Sequence, residues 1–107
     1  KQMDKVIWTD SAIQDLNDIG DYIAKDSEKY AQITVNGLFD SVDILEYYPF
    51  SGKIVPEYEN ENIREIIKGN YRVVYQIVEN ERIVILTVHN CARLIENTYN
   101  FKDLDKD

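Results

Sequence analysis

The stretch Gly69-Asn70-Tyr71-Arg72-Val73-Val74-Tyr75-Gln76-Ile77-Val78 decides the fold. A turn dipeptide opens it, and the residues that follow alternate at the period of a strand. Tyr71, Val73, Tyr75 and Ile77 fall on one face, and Arg72, Val74 and Gln76 on the other. The first set is the natural core face, so Arg72 should point away from whatever covers it. Upstream, Ile63-Arg64-Glu65-Ile66-Ile67-Lys68 reads as a strand on which Arg64 shares a face with Ile66 and Lys68. That arrangement leaves room for a cationic sheet surface. Downstream, Asn80-Glu81 turns into Arg82 to His89, rich in β-branched residues. Three strands joined by such short turns form an antiparallel meander.

Toward the N-terminus the period becomes helical. Val6-Ile7-Trp8 is a first strand, and Thr9-Asp10-Ser11 offers helix N-caps. Ile13, Leu16, Ile19 and Ile23 recur at helical spacing over about 10–25. Asp26-Ser27 interrupts them and caps a second helix over about 28–48, with Ala31, Val35, Leu38, Val42 and Leu45 as its apolar stripe. Pro49 should stop that helix, and Ser51-Gly52 is a turn. So short a connection makes the two helices an antiparallel hairpin. Strand, helical hairpin and meander define an α+β fold, with helices on one face of one sheet. Leu16, Ile23, Leu38, Val42 and Leu45 are the expected core. The chain reads as one domain over 1–107, with a short helix after Leu94 and a polar tail from about residue 100.

The 107 residues, 44% of them apolar, suffice for a core without disulfides. No apolar run approaches the roughly 20 residues of a membrane span, and no secretion signal is visible. Cys91 is the single cysteine and reads as a small apolar residue. One histidine gives no metal set, and no motif calls for a cofactor. A cytoplasmic protein is expected. The net charge of −8 opposes bulk binding to nucleic acid. All four arginines nevertheless lie in the second half of the chain, so a local cationic patch on an acidic body remains open.

Ile63-Arg64-Glu65-Ile66, Tyr71-Arg72-Val73-Val74-Tyr75-Gln76-Ile77 and Ile85-Leu86-Thr87-Val88-His89, with Arg93 downstream, resemble the RelE/ParE toxin superfamily. Val6-Ile7-Trp8-Thr9 and the Tyr48-Pro49-Phe50-Ser51-Gly52-Lys53 turn extend the resemblance over residues 6 to 99. It implies a growth-inhibiting toxin of a toxin–antitoxin, or plasmid-stabilisation, system, neutralised by an antitoxin encoded beside it. RelE-like members cleave messenger RNA on the ribosome, and ParE-like members poison DNA gyrase. Arg72, Arg93 and Tyr99 look like the strand arginine, later arginine and C-terminal tyrosine of the nucleases. Where those nucleases carry lysines, this chain has Arg64, Glu65, Ile66 and Ile67, and only Lys68 remains. The segments 63–65 and 49–56 are more similar to ParE-like members.

Cutting RNA without a metal needs a base, an acid and cations around the phosphorane. Arg72 and Arg93 can supply the cations, and Glu65, Glu57 and His89 are candidate bases. Each has a structural alternative. A strand arginine commonly pairs with a cross-strand carboxylate, His89 can be a hydrogen-bonded residue at a strand end, and Tyr99 can be a packing anchor. Arg64, Lys68, Tyr48 and Phe50 are candidates for partner binding. With Tyr47, the last two either close the edge of the core or face an antitoxin or target. The acidic charge and missing lysines favour gyrase inhibition by protein contact. The nuclease is the alternative, and an inactive antitoxin-binding relative is a third.

Overall fold

The computed structural model describes residues 5–79 and 82–91. The expected turn at Asn80-Glu81, the short helix and tail after Leu94, and the candidates Arg93 and Tyr99 lie outside the described residues. The chain runs β1 (Lys5–Trp8), α1 (Asp10–Ala24), α2 (Glu28–Ser41), β2 (Lys53–Ile54), β3 (Ile63–Lys68), β4 (Tyr71–Val78) and β5 (Arg82–Asn90). Short 3-10 turns over Asp43–Glu46, Pro49–Ser51 and Pro56–Tyr58 fill the long connection after α2. The sheet order is β1-β5-β4-β3-β2. β2 to β5 pair antiparallel, and β1 returns to the far edge parallel to β5, with Val6 opposite Ile83. The sheet is therefore mixed, an α+β arrangement with the helical hairpin packed against it.

Both helices begin where hydroxyl side chains meet otherwise unpaired N–H groups. Thr9 Oγ1 accepts from Ala12 N at 3.1 Å, and Ser27 Oγ accepts from Tyr30 N at 3.0 Å. Thr9 also donates to the Ile85 carbonyl at 2.8 Å, which fastens the start of α1 to the sheet. Leu16, Leu38, Val42 and Leu45 are buried against Val73, Tyr75, Ile83, Ile85 and Val88. Ile23, expected with them, is only half-buried, because it sits in the last turn of α1.

The second helix is shorter than its apolar stripe suggests. It ends at Ser41 rather than near residue 48. Ser41 Oγ donates to the Leu38 carbonyl at 2.6 Å, taking the acceptor that an α-helix would offer to the N–H of Val42. The chain then tightens, with Leu45 N bonded to the Val42 carbonyl at 2.9 Å. The stripe still reaches the core, since Val42 and Leu45 are 1% and 0% exposed.

The β4–β5 register contains a bulge. Val74 faces Thr87 and Tyr75 faces Ile85, leaving Leu86 without a partner residue. The extra residue resets the alternation, so that Ile83, Ile85 and Val88 all reach the same core cluster.

Leu38, 1% exposed at the centre of the helix–sheet contact, tests this packing. Leu38→Ala should lower stability by about 2–5 kcal/mol in urea denaturation, through lost burial and a residual cavity. An unchanged midpoint would remove Leu38 from the core.

Candidate functional site

The pairing of β3, β4 and β5 decides where each candidate stands. Arg64 is opposite Tyr75, Ile66 opposite Val73 and Lys68 opposite Tyr71. Residues directly across a ladder share a face, so Arg64 and Lys68 lie on the hairpin side of the sheet. Glu65, opposite Val74, and Ile67, opposite Arg72, lie on the other side. Arg72 thus points away from the hairpin, as the alternation requires. Arg64 and Lys68 share a face, as their spacing requires, and the sheet separates both from Arg72.

Arg72 is committed to a carboxylate. Its Nε lies 2.5 Å from Glu65 Oε1, and both side chains are less than one-fifth exposed. The pair is diagonal across β3 and β4, and it uses one of the candidate bases to balance the candidate cation. Glu57, another candidate base, sits exposed in the Pro56–Tyr58 turn. His89 stands opposite Arg72 on β5. Burial and then the Arg72 guanidinium push its pKa below the usual imidazole value, while Asp15 pulls the other way. The ring is therefore held neutral near pH 7. Its Nε2 lies 3.4 Å from Thr87 Oγ1. Cys91 is half-buried rather than fully buried, and burial raises its pKa, so the thiol stays protonated.

Two side chains make polar contacts that sequence patterning does not reveal. Asp15 of α1 accepts from Thr87 Oγ1 at 2.7 Å and from Val88 N at 2.9 Å. β1 reaches only as far as Ile85 along β5, so the carboxylate serves as edge partner where that strand stops. A cleft of about 260 Å³ opens there, lined by Asp15, Asp18, Tyr22, Tyr71, His89 and Asn90. Tyr75, read as a core residue, is also a polar anchor. Its hydroxyl donates to the Pro49 carbonyl at 2.7 Å and accepts from Gly52 N at 3.0 Å. Only the polar end of an otherwise apolar side chain hinted at this.

Arg64 supports the same loop from the neighbouring strand. It donates to the carbonyls of Glu61 at 2.9 Å, Phe50 at 3.2 Å and Gly52 at 3.1 Å. Its guanidinium lies 4.9 Å from the centre of the Phe50 ring. Phe50 and Tyr48 do not close the core, for they are 56% and 64% exposed. Among the described residues no group of His, Cys, Asp and Glu is arranged to hold a metal. No helix among them is long and apolar enough to cross a membrane.

The model of one family, the ParE toxin of the type II toxin–antitoxin system parDE, matches residues 6–95. The chain belongs to the ParE toxin family. No curated protein matches it by sequence. Among solved structures, the chromosomal ParDE toxin–antitoxin system of P. aeruginosa is similar at a TM-score of 0.69 and 22% identity, covering 84% of this chain and 98% of that one. The toxin–antitoxin complex RelBE2 of Mycobacterium tuberculosis is similar at a TM-score of 0.52 and 22% identity, covering 82% and 98%. These two likenesses concern the fold. The family assignment makes the protein a type II toxin, on the ParE-like branch of the RelE/ParE superfamily.

His89 supplies a pH test. With its folded pKa lowered, the unfolded chain binds the extra proton first as pH falls below about 6.5. The associated stability is complete above that pH and declines between it and the lower folded value. Between about pH 7.5 and 5.5 the wild type should lose more in melting temperature than His89→Gln does. Equal losses would show that His89 titrates as it would in solvent.

Proposed function

We propose that this ParE-family toxin inhibits DNA gyrase by protein contact in the cytoplasm and is neutralised by a cognate antitoxin. The observation that carries the reading is the 2.5 Å pair between Arg72 and Glu65. A site that cleaves RNA must hold positive charge in surplus where the phosphorane develops. Here the strand arginine is balanced by a carboxylate, His89 beside it is held neutral, and Arg64 and Lys68 lie on the opposite face. Family membership and the net charge of −8 support the same conclusion. The antitoxin is supported by the two structural relatives, both toxin–antitoxin systems. It is supported too by exposed apolar side chains on the hairpin, including Tyr30, Ile33 and Phe39.

The nuclease reading keeps one point in its favour. Arg72, Glu65 and His89 form a contiguous group, to which Arg93 and Tyr99 would have to contribute. Expression of wild type and Arg72→Ala at equal soluble levels separates the two. On the gyrase reading, transcripts stay intact in both, relaxed or broken DNA accumulates, and the substitution changes toxicity only modestly. On the nuclease reading, transcripts are cut on ribosomes by the wild type, and Arg72→Ala loses about a hundredfold or more in rate. A folded, abundant protein producing neither signal would instead be an inactive antitoxin-binding relative.

A further inference from the structure

The connection between α2 and β3 exposes its aromatic side chains while its backbone is fastened from within. Tyr47, Tyr48 and Phe50 are 61%, 64% and 56% exposed and, with Pro49 and Ser51, line a shallow hollow. Beneath them the Tyr75 hydroxyl holds Pro49 and Gly52, and Arg64 holds the carbonyls of Phe50 and Gly52. Rings presented on a backbone already fixed lose little further freedom when a partner covers them. Tyrosine is also among the side chains that most often anchor protein interfaces.

The charge around the rings selects the partner. From residue 43 to 64 the chain carries Asp43, Glu46, Glu57, Glu59 and Glu61 against Lys53 and Arg64, and Arg64 is already engaged with the Phe50 ring and three backbone carbonyls. Nucleic acid and anionic lipid are repelled by such a segment. A second copy would bring the same acids together, at a net charge of −8 on each chain. A protein segment with lysine or arginine on either side of an apolar side chain satisfies both the rings and the acids.

We propose that Tyr47, Tyr48 and Phe50 are the anchor of an antitoxin-docking surface, which takes an apolar side chain flanked by basic residues. The proposal rests on the toxin–antitoxin reading above. Its test is titration calorimetry of the purified toxin with the product of the adjacent reading frame, at roughly 50 and 200 mM salt. Tyr48→Ala and Phe50→Ala should each weaken binding about tenfold or more. The melting temperature of Tyr48→Ala should stay near wild type, because that side chain stands mostly in solvent, whereas Phe50→Ala also loses its contact with the Arg64 guanidinium. Combined reversal of Glu57, Glu59 and Glu61 to lysine should weaken binding and reduce its salt dependence. Aromatic variants that bind within about twofold of wild type would overturn the docking surface alone. So would a wild-type dimer in sedimentation that the same substitutions break while antitoxin affinity holds. Failure of the wild type to bind at all would overturn the toxin–antitoxin reading together with it.

Discussion

A buried phenol has to satisfy its hydroxyl, and in this fold Tyr75 does so by pulling the α2–β3 connection onto the sheet. Its side chain is 0% exposed within the core cluster, yet its oxygen meets two backbone partners, Pro49 and Gly52. Neither bond survives a shift of the loop, and an unpaired buried hydroxyl would be costly. The same contact dictates Gly52. A Cβ at that position would lie 2.6 Å from both the Tyr75 hydroxyl and the Glu65 carbonyl. The backbone there is extended, at φ −77°, so glycine is required for close approach rather than for an unusual turn. With Gly52 seated, Lys53 and Ile54 fall into register with Glu65 and Arg64, and the short edge strand β2 follows.

The two-residue period of β3 and β4 then sorts the charges. The three cationic side chains of β3 and β4 serve three different purposes. Arg64 holds the loop, Lys68 runs alongside α2 near Gly37, and Arg72 neutralises Glu65 on the opposite face. This sorting argues against a phosphate site more strongly than the overall charge does. Net charge acts at long range and is screened by salt, whereas a carboxylate in contact with the guanidinium acts at the point where a phosphate would bind. The neutral His89 ring adds no compensating charge.

What the sequence made legible is what depends on neighbours along the chain. The β3–β4–β5 meander, the caps at Thr9 and Ser27, the hairpin and the outward face of Arg72 follow from period and local hydrogen bonding. The contacts that required the third dimension were hidden. A parallel β1 at the β5 edge, the carboxylate of Asp15 taking over where β1 ends, and the three carbonyls on Arg64 leave no periodic trace. The end of α2 lies between these cases. Ser41 is a residue able to compete for a helix carbonyl, but the apolar stripe running past it to Leu45 has the spacing of an uninterrupted helix. Of the site, the Arg72–Glu65 pair was within reach of strand alternation, while Arg93 and Tyr99 fall outside the described residues.

Rigidity and charge together support the proposed protein-contact mechanism. A reacting centre needs polar groups preorganised around the charge that develops. Here the polar anchors of Tyr75 and Arg64 instead preorganise a surface loop, and the arginine that faces away from the helices is neutralised. The outcome is an acidic body displaying fixed aromatic rings on one connection and further apolar side chains on the helical hairpin. On the proposed function, two apolar surfaces suit a toxin recognised by an antitoxin and engaging a target. The loop is tied to β3 and β4 through Tyr75 and Arg64, and through Leu45 it shares the core on which the hairpin rests by Leu16 and Leu38.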